Sequence, residues 1–317
     1  MEAAFQIIAG LILLTAGGEG VIRGAVGLAR KLGLSEFLIG VTLVGFGTSA
    51  PELLTSIEAA VLGSPGIALG NVLGSNISNI LLILGLVAII RPIQTVRSAV
   101  CRDGALVVLL SIALAGLAYI LAEFDRWVGM FMVLALIVYI ANVWRAERRS
   151  GVTAIVHKED PQGNDPASTP FWLSALFALG GLLLLLCGAD LLVHGAITTA
   201  RLVGISETVI GMTIVAIGTS LPELVATLAA ALRGRSDIAL GSILGSNTYN
   251  ILGIVGVTAL VHPIVVPADI GLIDWATLIG SAALLVVFAR TGRQINRLEG
   301  VVLLSAYISY AVFLFIR

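Results

Sequence analysis

Gly47-Thr48-Ser49-Ala50-Pro51-Glu52 occurs a second time, as Gly218-Thr219-Ser220-Leu221-Pro222-Glu223. Each copy sets two hydroxyls, a proline and a carboxylate inside a long apolar run. In a water-soluble protein Ser-x-x-Glu would read as a capping box, with proline near a helix start. The flanks here are Phe37-Leu38-Ile39-Gly40-Val41 and Leu53-Leu54, and Ile210-Gly211-Met212 and Leu224-Val225 for the second copy. A stretch that apolar belongs in a bilayer, where an ionisable side chain is expensive and marks function by default. The pair of motifs therefore reads as two broken helices, each carrying one buried acid.

Composition points the same way. The chain has 317 residues, 58% hydrophobic and only 12% charged, and a mean hydropathy of +1.06. Soluble domains carry about 25% charged residues, so the expectation is an all-α integral membrane protein. No basic patch indicates nucleic acid. Cys101 and Cys187 give neither a disulfide framework nor a metal pattern. Met1-Glu2 precedes an apolar run without a basic stretch, so the first run is expected to stay as a helix and not be cleaved.

A hydrocarbon core of about 30 Å takes about 20 residues per helix. On that ruler ten spans are predicted, near 5–29, 37–62, 66–90, 103–122, 127–144, 171–200, 208–232, 237–261, 271–289 and 299–316. The polar stretch 145–170 reads as a flexible linker. It divides the chain into repeats 1–144 and 171–317, which together form one membrane domain. An offset of 171 residues holds without a gap from Gly10/Gly181 to Ile93/Ile264, and about half the positions agree between 39–93 and 210–264. Five spans per repeat is an odd number, so the second repeat must enter the membrane from the opposite side. Inverted repeats are an architecture of secondary transporters.

Lys and Arg set the expected orientation. Fourteen fall on the side of the 145–170 linker and three on the other, with Arg23 inside a span. The linker is thus expected in the cytoplasm of a cell or inner membrane, and both termini outside.

Thr48, Ser49 and Glu52 have the spacing of one helix face. Pro51 has no N–H and clashes with the carbonyl four residues back, so the helix should open there and leave carbonyls near Gly45–Gly47 for a ligand. The second half-helix then holds Glu52 in its first turn, where the helix dipole favours the ionised acid. The same reasoning covers Ala216–Gly218, Thr219, Ser220 and Glu223. Ser75 and Asn79, and likewise Ser246 and Asn250, stand four residues apart on one face. Asn76 and Asn247 are equally suited to tying helices together. Gly70, Gly74, Gly241 and Gly245 let helices approach closely. Glu19 and Asp190, equivalent positions in the first and sixth spans, are expected to pair with a backbone group or a basic neighbour in preference to lining the ion path. Every candidate donor is an oxygen, as Ca²⁺ and Na⁺ prefer, and no His or Cys takes part, which argues against Zn²⁺ and copper. Two ionised Glu balance one Ca²⁺ or two Na⁺.

Gly-Thr-Ser-x-Pro-Glu followed by Gly-Ser-Asn-x-x-Asn, twice, in ten spans, resembles the cation/calcium exchanger superfamily, in the compact prokaryotic sodium/calcium exchanger form. The resemblance implies that Glu52 and Glu223 are the central ion ligands. It adds Thr48, Ser49, Ser75, Asn79, Thr219, Ser220, Ser246 and Asn250, with the backbone oxygens of Gly45 and Ala216. It implies Ca²⁺/Na⁺ antiport by alternating access, with the first and sixth spans sliding past the core. It implies no enzymatic chemistry and no cofactor, and a chain that acts as a monomer. Some members carry Asp where this chain has Asn250. The rival readings are exchange against H⁺, a K⁺-dependent exchanger, a passive cation channel and a membrane-embedded hydrolase.

Overall fold

The computed structural model describes residues 2–63, 65–95, 100–121, 123–149, 170–202, 216–267 and 270–316. In the first repeat the helices are α1 (Glu2–Leu32), α2 (Glu36–Thr48), α3 (Ala50–Val61), α4 (Pro65–Ile90), α5 (Val100–Ile120) and α6 (Arg126–Arg149). In the second they are α7 (Phe171–Leu202), α8 (Ala216–Thr219), α9 (Leu221–Leu232), α10 (Ser236–Val261), α11 (Leu272–Arg290) and α12 (Arg297–Ile316). Eight are long and apolar enough to cross a bilayer, and α2 with α3 forms a bent ninth span. The tenth predicted span, 208–232, contains α8 and the short apolar α9, while 203–215 lie outside the described residues. The fold is all-α, ten spans in two inverted five-helix repeats.

The described chain divides into two compact units, and each takes segments from both repeats. The first comprises residues 1–48 and 142–242. Its centre is the contact between α1 and α7, built on glycine. A Cβ at Gly24 would come within 2.2 Å of the Ala178 nitrogen, and one at Gly181 within 2.4 Å of the Val21 nitrogen. Lipid offers no hydrophobic drive for helix association, so the gain comes from backbones packed at van der Waals distance, which only small residues allow. α2 starts on a cap, Ser35 Oγ accepting from the Leu38 N–H at 3.0 Å, and its Glu36 pairs with Arg235 at 2.7 Å. Glu19 accepts from Arg23 at 2.5 Å and also from Arg233. The basic partner expected from its sequence is therefore present twice over.

The second unit comprises residues 49–141 and 243–317. Two short antiparallel ribbons tie its links together: β1 (Ile93–Gln94) with β4 (Gln294–Ile295), and β2 (Glu123–Phe124) with β3 (Ile264–Val265). Two-residue strands carry no periodic pattern, so these ribbons leave no signal in the sequence. Ile93 faces Ile295 and Phe124 faces Ile264, and moving both members of the first pair by 171 residues produces the second. Gly85 against Gly300 and Gly129 against Gly256 are related in the same way. An offset that exchanges partners is the signature of a two-fold relation between repeats.

Burial separates the helices by role. The apolar windows of α4 and α10 are 72% and 94% buried, against 28% for α5 and α6 and 11% for α12. The helices that carry the duplicated serines and asparagines are thus the interior ones, and the others present side chains such as Leu109, Phe131 and Leu298 to lipid.

Candidate ion-binding site

The chain breaks where Pro51 demands it. α2 ends at Thr48, Ser49 is a turn residue, and α3 begins at Ala50. Thr48 and Glu52 therefore stand on separate helices and not on one continuous face as their spacing predicts. Thr48 Oγ1 donates to the Val44 carbonyl at 2.9 Å and approaches the Gly45 carbonyl at 3.3 Å. The hydroxyl hydrogen is spent on its own backbone, which leaves the oxygen lone pairs of Thr48 available to a ligand. In the second copy Ser220 is the N-cap of α9 with Pro222 just inside, yet its hydroxyl makes no capping bond.

Each unit collects donors from both repeats. In the first unit the segment Gly45–Thr48 packs against α9, the helix of Glu223. Ser220 and Glu223 are buried there, at 3% and 1% exposure, with Thr219 half-buried. Ala216 opens α8 in the same unit. In the second unit α3 packs against α4 and against residues 250–261 of α10. Ser49, Glu52, Ser75, Asn79, Ser246 and Asn250 all lie in that unit and all are buried. The Asn250 amide donates to Ser75 Oγ at 3.0 Å, a bond that joins the repeats, and Ser75 donates to the Val72 carbonyl at 3.2 Å.

Both candidate amides sit where the helix widens. Residues Ser78–Leu84 of α4 and Asn250–Ile254 of α10 form π-type turns, so Asn79 and Asn250 each stand at the start of one. Such turns recur at functional sites, because the extra residue per turn redirects a side chain and loosens a carbonyl. Asn79 is 1% exposed, and neither its amide nitrogen nor its amide oxygen has a hydrogen-bond partner. The amide oxygen of Asn250 is likewise unbonded. Burying an amide without partners costs several kcal/mol in an apolar medium (roughly 2–7). An oxygen-seeking cation would satisfy both oxygens.

Asn76 and Asn247 differ from Asn79 only at the amide nitrogen; their amide oxygens, like that of Asn250, have no hydrogen-bond partner. Their amides donate to the carbonyls one turn back in their own helices, Val72 at 2.7 Å and Ile243 at 2.8 Å. The helix-tying bond expected of them is intrahelical. Gly241 makes the close approach expected of it, since a Cβ there would fall 2.6 Å from the Phe37 carbonyl oxygen, but Gly70 and Gly74 do not, since a Cβ at either would meet nothing within 4 Å among the described residues.

Asn71 was missed. Its amide donates to the Glu52 backbone carbonyl at 3.1 Å and to Ser56 Oγ at 3.0 Å, bracing the helix that carries the acid. Its counterpart 171 residues on is Ser242, and that mismatch hid it from a search for duplicated residues. Asp103 and Asp274 were missed as well. They stand at the same offset, and each accepts from a tyrosine that is itself duplicated: Tyr139 at 3.1 Å and Tyr310 at 2.8 Å.

The family model described as sodium/calcium exchanger protein matches residues 2–145 and 173–316. The chain belongs to the sodium/calcium exchanger family. This exchanger is 39% identical over 328 residues to the putative antiporter CaxA of Alkalimonas amylolytica, covering 99% of both chains. It is 34% identical over 340 residues to the sodium/calcium exchanger MaX1 of Methanosarcina acetivorans, covering 98% of this chain and 97% of that one. A solved structure of the sodium-calcium exchanger NCX_Mj, soaked with Na⁺ and Ca²⁺, superposes with a TM-score of 0.82 at 34% identity. It covers 98% of this exchanger and 97% of that chain. The likeness extends over the whole length, both repeats included.

Proposed function

We propose that this multi-pass membrane protein is an antiporter that exchanges Ca²⁺ for Na⁺, with Glu52 and Glu223 as the charged ligands of one mid-membrane cargo site reached by alternating access. The observation that carries the reading is the donor set of the second unit. There the buried Glu52 shares a compact body with Ser75, Asn79, Ser246 and Asn250, and the Asn79 amide has no protein partner. Carboxylate, hydroxyl and amide oxygens are the ligands of hard cations, and Ca²⁺ takes six to eight of them. Glu223, with Ser220, Thr219 and the carbonyl oxygens of Gly45 and Ala216, adds the second charge. Two carboxylates are neutralised equally by one Ca²⁺ or two Na⁺, so either load relieves the same burial penalty, and the site exchanges one for the other. The relatives named as antiporter and as sodium/calcium exchanger support this reading.

Reconstituted liposomes test it. Ca²⁺ uptake should follow an outward-directed Na⁺ gradient and stop without one. Glu52→Gln and Glu223→Gln should each slow uptake at least about tenfold, since removing one charge from a buried ion pair costs several kcal/mol. Uptake driven by a pH gradient alone would replace Na⁺ by H⁺ as the counter-ion, and uptake with no counter-ion would make the protein a channel.

A further inference from the structure

Beside the motif helix the two repeats differ at Ser56/Thr227 and at the half-buried Asn71, whose counterpart Ser242 is buried. In the first repeat four groups meet: the Glu52 carbonyl, Ser56 Oγ, the Ala68 carbonyl and the Asn71 amide nitrogen. Asn71 donates to the Glu52 carbonyl at 3.1 Å and to Ser56 Oγ at 3.0 Å, and Ser56 donates to the Ala68 carbonyl at 3.4 Å. An N–H₂ group thus stands among oxygens. Under the 171-residue offset the sequence counterparts of Glu52, Ser56, Ala68 and Asn71 are Glu223, Thr227, Ala239 and Ser242. All four belong to the first compact unit. Replacing Asn by Ser removes the only donor nitrogen of the cluster and shortens the side chain. The outcome is visible in the structure: Thr227 is 0% and Ser242 is 1% exposed, and neither hydroxyl has a hydrogen-bond partner.

Two orphaned, fully buried hydroxyls are costly, and a cluster of oxygens lacking its N–H suits a cation in the place the amide holds elsewhere. Glu223 lies one helical turn before Thr227 on the same face and supplies a negative charge close by. Two carbonyls and two hydroxyls are neutral hard donors, a set suited to a weakly held ion of single charge. We propose that Thr227 and Ser242, with the backbone oxygens of Glu223 and Ala239, form a subsite for one monovalent cation in the second repeat only. In the first repeat the Asn71 amide fills the equivalent space. The proposal rests on the exchange reading only in taking Na⁺ as the resident ion.

Crystals of the full chain soaked in Tl⁺ test the subsite directly. An anomalous peak is expected between Thr227 and Ser242, absent in Ser242→Asn, which rebuilds the amide bridge of the first repeat. In liposomes Ser242→Asn and the near-isosteric Thr227→Val should raise the Na⁺ half-saturation about threefold to tenfold relative to that for Ca²⁺, the size of one lost oxygen contact. Density without anomalous signal, meaning a water only, would overturn the proposal. So would unchanged Na⁺ half-saturation in both variants. The Tl⁺ peak does not depend on Ca²⁺ transport, so failure of the exchange reading registers separately, in the wild-type flux.

Discussion

Asp103 is fully buried, held by Arg102 at 2.9 Å and by the Tyr139 hydroxyl at 3.1 Å. Asp274, its counterpart, takes the Tyr310 hydroxyl at 2.8 Å and the Gly271 N–H at 2.8 Å. Hydrogen bonds to charged groups are worth more than neutral ones, and a buried carboxylate deprived of one is left underpaired. Tyr139→Phe and Tyr310→Phe should each destabilise the protein by about 1–3 kcal/mol, read as a lower melting temperature in detergent. The Ca²⁺ half-saturation should stay put. Melting at the wild-type temperature in both variants would show these bonds to be idle. The same scale shows what the sequence could and could not tell. The oxygen-only character of the candidate site is legible in Glu52, Glu223 and the hydroxyls beside them. Spacing alone cannot separate Asn76 from Asn79. The Asn76 amide nitrogen is bonded to a carbonyl four residues back and that of Asn79 is not, and Asn79 lies in a π-type turn that has no sequence signature.

At the level of elements, proline and glycine were informative and short strands were not. Pro51 located the break between α2 and α3 to within a residue, because a missing N–H and a clash with the preceding turn leave the backbone no alternative. The ribbons between links were invisible, since two residues have no period. Glycine contacts between helices grade by what a side chain would strike. A Cβ at Gly129 would lie 2.6 Å from the Gly256 carbonyl oxygen and 2.9 Å from the Leu260 nitrogen, both backbone atoms of α10. At Gly85 the nearest atoms are the Leu304 nitrogen at 3.0 Å and the Gly300 oxygen at 3.1 Å. Backbone cannot swing aside as a side chain can, so Gly129→Ala must push α6 and α10 apart, whereas Gly85→Ala needs a shift of a few tenths of an ångström. Overpacking costs about 1–3 kcal/mol. Gly129→Ala should fall in that range and Gly85→Ala below it, with the order of melting temperatures as the readout. Since α10 carries Ser246 and Asn250, the same substitution should also weaken Ca²⁺ binding, and a reversal of the order would mean that the α6–α10 contact yields more easily than its geometry implies.

On the scale of the whole chain, the repeat boundary and the compact units do not coincide. The first unit holds Gly45–Thr48 of the first broken helix together with both α8 and α9 of the second, the second unit holds α3, and each carries oxygen donors from both repeats. Paired elements such as β1–β4 and β2–β3 exchange under the 171-residue offset, which is what two oppositely threaded copies of one ancestral half require. That much was legible from an odd span count and a gapless offset. The division into units was not, because it depends on long-range contacts that a linear pattern does not encode. Threading direction also fixes the last expectation. Fourteen of eighteen Lys and Arg fall on the side of the 145–170 linker and three on the other, and short loops rich in Lys and Arg stay in the cytoplasm. A single cysteine placed at Ser150 or Ser168, in a background with Cys101→Ala and Cys187→Ala, should react with a membrane-impermeant maleimide in inside-out vesicles and stay unlabelled in intact cells. A cysteine replacing Arg317 should label in intact cells. The opposite pattern would invert the topology, and with it the face from which the cytoplasmic ion enters, while leaving the inverted repeat and its oxygen donors unchanged.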